Sequence, residues 1–151
     1  MTEEKKIEIM KEFLSRYREQ RTRVEWQKQK MSELRLILLG DENDDNGINF
    51  VPDDDIKEAI GWTETEKKYK AESVELCKIY REIMDMLDLL STQEMREIIH
   101  EMYIHLMSID GVAYTRQVHP KTISKKHRQA LIELYDMLQI RSIARLYPDC
   151  I

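Results

Sequence analysis

Between Glu3 and Leu39 the chain contains neither glycine nor proline, the two strongest local breakers of regular structure. Apolar residues recur through this stretch at Ile7, Met10, Leu14, Tyr17, Val24, Met31 and Leu38. Spacings of three and four predict one long helix over 3–39 with a single buried stripe. Written as heptads, that stripe is interrupted by Arg21, Lys28 and Arg35. A cation at three successive seam positions argues against a strict coiled coil. The helix is expected to lean on a partner element or to form a short dimer contact, its cationic stems covering apolar surface.

Breakers are scarce elsewhere too. The 151 residues include four Gly and three Pro, with 35% charged and 7% aromatic residues, a composition that points to an all-α protein. No apolar run approaches the roughly 20 residues of a membrane span. Cys77 and Cys150 offer neither metal spacing nor a disulfide framework, and no signal peptide is visible, so a cytoplasmic setting is expected.

Gly40 is placed to end the first helix. The segment from 40 to 60 is acidic and turn-rich, and it reads as a linker or loop. Glu42, Asp44, Asn46, Gly47 and Asp53 approach the spacing of a calcium loop. Glu at position 1, Asp at position 12 and Pro52 depart from that pattern, which favours the linker. A second helix is expected over 61–90, with Thr63 and Glu66 as a capping box and an apolar stripe that includes Leu76, Ile79, Ile83 and Met86. Ser91 and Glu94 form a second such box. It opens a helix with Met95, Ile98, Ile99, Met102 and Leu106 inward, the first element of a module spanning 91–146. Asp110-Gly111 marks an irregularity near a short helix. Pro120 suits the first turn of the last helix, where its missing N–H costs nothing.

Charge is strongly segregated along the chain. The net charge is −5, yet residues 112–146 hold seven basic and two acidic residues, whereas 40–58 hold one and eight. In the basic stretch, Ile123, Ala130, Leu131, Leu134 and Leu138 form one face of a helix. Lys121, Thr122, Lys125, Lys126, Arg128 and Gln129 fall on the rest. An apolar underside with a basic, polar outer face is what a DNA-reading helix-turn-helix requires of its second helix. Lys121, Thr122 and Lys125 are the candidates for base edges, and Lys126 and Arg128 for phosphates. The bland alternative is a solvated charged face.

The stretch from Leu89 to Leu138 resembles region 4 of the sigma-70 class of bacterial transcription initiation factors. Val112-Ala113, Val118, Thr122-Ile123, the Lys125–Arg128 run and Ala130-Leu131 carry the resemblance, with "MREIIHEMYI" (Met95 to Ile104) as the preceding helix. Three positions depart from the pattern. Gln117 replaces the turn glycine, Arg116 a buried leucine and His119 the usual serine cap. The layout of the whole chain is similar to small phage transcriptional regulators, the ArpU- and RinA-like proteins. That resemblance implies an all-helical, double-stranded-DNA-binding regulator in a bacterial host cell, one able to contact bacterial RNA polymerase and to dimerise through its N-terminal helix. The alternative is a protein-binding inhibitor or adaptor on the same fold (an antirepressor, a polymerase modulator or a counter-defence protein) that acts through its acidic surface.

Other features point elsewhere only weakly. His100 and His105 are five apart, on different faces of a regular helix, with no cysteine near them, so no metal and no cofactor is expected. No nucleophile–base set or phosphate loop is visible, and an enzyme is not expected. Met84, Met86, Met95 and Met102 fall on core stripes. Trp26 and Trp62 lie off the main stripes, where packing between helices or a partner contact would use them.

Overall fold

The structure is a computed structural model that describes residues 1–39 and 53–146. Gly40, the Glu42–Gly47 part of the possible calcium loop, Pro52 and Cys150 lie outside the described residues. The protein is all-α. The described residues form six helices and no strand: α1 (Glu3–Leu39), α2 (Asp54–Ile60), α3 (Trp62–Leu87), α4 (Gln93–Tyr103), α5 (Ile109–Arg116) and α6 (Pro120–Leu146). They divide into two compact units, Met1–Arg18 with Ile79–Ile151, and Glu19–Lys78.

In the unit Glu19–Lys78, the second half of α1 runs with the first part of α3. The seam of α1 keeps the predicted apolar positions but not the predicted cations. Gln20 and Val24 are buried, and Gln27, Met31, Leu34 and Leu38 are half-buried, while Arg21, Lys28 and Arg35 are exposed. After Tyr17 the stripe therefore keeps Val24, Met31 and Leu38 and is completed by 20, 27 and 34, and the three cations never sit on it. One polar residue of the seam is matched across it, whereas the buried Gln27 side-chain oxygen has no hydrogen-bond partner among the described residues. The Gln20 side-chain amide donates to the Glu72 carbonyl oxygen at 2.9 Å and to the Glu72 carboxylate. Trp62 is buried and donates its indole N–H to Glu66 at 3.0 Å. Trp26 is 56% exposed, with the Lys30 ammonium over its ring.

Residues 54–60, expected to belong to the linker, form α2. Asp54 and Asp55 in its first turn complement the helix dipole. Gly61 then takes a left-handed conformation (φ 74°), ending α2, and its carbonyl accepts from the Thr65 N–H to begin α3. Thr63 therefore lies inside the first turn of α3, and the Thr63–Glu66 capping box is not used.

The other unit holds the main core. Ile7, Met10 and Leu14 of α1 meet Ile83, Met86 and Leu87 of α3, Leu90, Ile99 of α4, and Ala130, Leu131 and Leu134 of α6. The second predicted cap is displaced by one residue. Thr92, not Ser91, caps α4 by accepting from the Met95 N–H at 3.2 Å. Ser91 instead donates its backbone N–H and its hydroxyl to the two oxygens of the Glu133 carboxylate on α6.

Candidate nucleic-acid interface

The outer face of α6 is positioned by α4 and α5, which pack on it and on each other. A second core cluster joins the three: Ile98 of α4, Val112 and Ala113 of α5, and Ile123 of α6, all 1% exposed or less. Helix α4 ends at Tyr103, and the chain folds back there. The N–H groups of Ile104 and His105 both reach the His100 carbonyl, and Leu106 takes φ 58°. Leu106 is thus exposed, not inward. The reversal also brings the rings of His100 and His105 to 4.7 Å, edge to face, despite their five-residue separation. Burial and the neighbouring His105 hold the His100 pKa below its usual value. No group of three metal-ligating side chains forms among the described residues.

Helix α5 begins at Ser108, whose hydroxyl accepts from the Gly111 N–H at 3.0 Å. A Cβ at Gly111 would lie 3.3 Å from that hydroxyl, so glycine belongs to a tight cap here and not to an irregularity. The turn into α6 follows. Gln117 is left-handed (φ 56°, ψ 44°), its N–H reaches the Tyr114 carbonyl, and the Val118 N–H reaches that of Ala113. These two bonds are the Schellman pattern, normally closed by glycine. Val118, in this turn, is 41% exposed. His119 caps α6 with its ring, Nδ1 accepting from the Lys121 N–H at 3.1 Å. Arg116, at the expected buried-leucine position, lies half-buried against α4. It donates to Glu97 at 3.1 Å and to Glu101 at 2.9 Å. Those bonds raise the guanidinium pKa and lower that of Glu97.

The six residues predicted to face nucleic acid separate into three groups. Lys121, Lys125 and Gln129 are exposed, and their side chains make no hydrogen bond or ion pair among the described residues. They recur every four residues, so they form one ridge along α6. Thr122 is half-buried beside that ridge. Lys126 and Arg128 lie on its two flanks, and both are engaged. Lys126 pairs with Glu94 of α4. Arg128 donates to Glu4 at 2.8 Å and to Glu3 at 3.2 Å, in the first turn of α1. The Arg128 hydrogen bond pulls the Glu4 pKa down, and the two carboxylates push that of Arg128 up.

His127 does not belong to the basic face. It is 6% exposed, and its Nε2 shares a 2.7 Å hydrogen bond with the Tyr103 hydroxyl. Desolvation, with a smaller effect from the Lys11 charge, lowers its pKa to about 4, so it is neutral at pH 7. Burial raises the Tyr103 pKa to about 12. Position 127 lies four residues from both Ile123 and Leu131, so helical spacing alone would have placed it on the buried stripe. The carboxylates on the flanks come from elements far away in sequence and carry no such signal. No helix of the described residues is long and apolar enough to cross a membrane.

No family model matches the sequence, and neither a curated protein nor a solved structure matches it.

Proposed function

We propose that this chain is a DNA-binding transcriptional regulator of the phage type, docking α6 in the major groove through its first turns. The observation that carries the reading is the ridge of Lys121, Lys125 and Gln129. It stands exposed and without side-chain partners on a helix whose underside is fully buried. A capped N-terminus, a Schellman turn and a dry three-helix core fix that helix, as recognition requires. Lys121, Thr122 and Lys125 meet base edges in this reading. Lys126 and Arg128 reach phosphates only after exchanging their carboxylate partners. Pairing of two copies through α1 on adjacent half-sites, and contact with bacterial RNA polymerase, belong to the same proposal.

The test is binding to random-sequence duplex DNA by fluorescence anisotropy at two salt concentrations. Wild type is compared with a Lys121→Glu/Lys125→Glu variant, which removes cations that hold nothing in the fold. Replacing the two unpaired cations of the ridge by carboxylates should weaken binding at low salt and flatten the dependence of log K on log salt. A folded wild type that fails to bind at low salt, or a variant that binds equally well, overturns the reading. Either result would favour the second reading, a protein-binding inhibitor or adaptor. The closed ion pairs of Lys126 and Arg128 and the 87% exposed Tyr114 on α5 are consistent with that use of the module.

A further inference from the structure

The first turn of α1 lies against the helix proposed to read DNA. Besides the Glu3 and Glu4 bonds to Arg128, Lys6 of α1 donates to Asp136 of α6 at 2.7 Å, and its ammonium lies 5.6 Å from the Tyr135 ring centre. Beneath these contacts Ile7, Met10 and Leu14 share one core with Ala130, Leu131 and Leu134. The first turns of α1 are therefore tied to α6 between Arg128 and Asp136. A major groove about 12 Å wide admits a single helix of about 10–12 Å diameter, not two. Only the turns of α6 ahead of Arg128 are free to enter. At the point where the helix leaves the groove, a phosphate strand would meet two carboxylates that already occupy the nearest guanidinium.

From this contact we infer that Glu3 and Glu4 form an autoinhibitory clamp: a pair of phosphate-mimicking carboxylates that occupies Arg128 and restrains non-specific binding to duplex DNA. The inference rests on the DNA-binding reading above. Backbone phosphates must displace the clamp, so duplexes that also gain base-edge contacts at Lys121, Thr122 and Lys125 are favoured over those that offer phosphates alone. The core contacts of α1 keep the helix in place during this exchange, so only the Arg128 side chain changes partners.

The clamp is tested with the full chain and a random-sequence duplex, by anisotropy at two salt concentrations. Glu3→Gln/Glu4→Gln keeps side-chain size and removes the charges. An exposed ion pair of this kind corresponds to a change of roughly fivefold, so the variant should bind about fivefold more tightly at low salt. The newly available Arg128 should also steepen the salt slope by about 0.9. Adding Arg128→Gln to the variant should remove both gains. Circular dichroism at each step confirms that the helices persist. Unchanged affinity in Glu3→Gln/Glu4→Gln, with wild type binding, overturns the clamp and leaves the DNA reading intact. A gain that survives Arg128→Gln also overturns it, because general charge removal would then be the cause. Absence of binding by folded wild type overturns the DNA reading and the clamp with it.

Discussion

Acidification should unfold the α4–α6 pairing through one residue. His127 is 6% exposed and its pKa is lowered from 6.5 to about 4 by burial. The unfolded chain therefore takes up a proton near pH 6.5, while the folded chain resists until about pH 4. The stability this provides is present in full above pH 6.5 and is lost as pH falls towards 4. At 1.36 kcal/mol per pKa unit, the loss saturates near roughly 3 kcal/mol, with about 2.5 kcal/mol of it gone between pH 7 and pH 4.5. Hydrogen bonds from Arg128, Lys70 and Arg116 hold the Glu4, Glu66 and Glu97 carboxyls below the usual carboxylate value. His100 shifts in the same direction as His127, and a control must remove its contribution.

Urea unfolding at pH 7, 5.5 and 4.5 provides the measurement, on wild type and on a Tyr103→Phe/His127→Leu variant. Replacing both partners of a buried hydrogen bond by apolar groups is nearly neutral, whereas His127→Leu alone strands the Tyr103 hydroxyl at a cost of about 1–3 kcal/mol. The double variant should match wild type at pH 7 within about 1 kcal/mol and exceed it by about 2 kcal/mol at pH 4.5. His100 and the carboxylates are common to both proteins and cancel in the difference. Equal losses in the two, or a His127 ring that titrates near 6.5 by NMR, would refute a neutral buried imidazole and with it the rotation of α6 that puts Lys121 and Lys125 outward.

The two left-handed caps make opposite predictions under thermal or urea unfolding. Gln117→Gly should stabilise by about 1 kcal/mol, since a side chain in this region costs roughly 1–2 kcal/mol. Gly61→Ala should destabilise by about 1 kcal/mol through backbone conformation alone, because nothing lies within 4 Å of the added Cβ. Thr92→Ala should cost about 1 kcal/mol by removing the α4 cap. Ser91→Ala should cost less, since Ser91 still donates its backbone N–H to Glu133.

Which parts of this structure could be read in the sequence follows from the range of the forces involved. Helices α1 and α6 were legible because breaker-free runs and an N1 proline act within a few residues. The underside of α6 was legible through Ile123, Ala130, Leu131 and Leu134, since burial leaves a period. Beyond Tyr17 the seam of α1 was legible at Val24, Met31 and Leu38 but not at 20 and 27, where glutamines occupy it and one of them is satisfied only by Glu72 of α3. Helix α2 hid inside an acidic run whose first-turn aspartates favour a helix start as much as a loop. The arginine at 116 looked like a departure from a buried leucine, but Glu97 and Glu101 on α4 make the position suitable for a cation. The basic character of the last helix was the least legible feature of all. Lys126 finds its carboxylate 32 residues away, and Arg128 finds its partners 124 and 125 residues away, while His127 is neutral and buried. Of the run from Lys125 to Arg128, only Lys125 offers an unpaired charge to solvent. A polyanion approaching α6 therefore meets Lys121 and Lys125 first and the rest only by exchange, so the formal charge of this segment overstates its attraction for DNA.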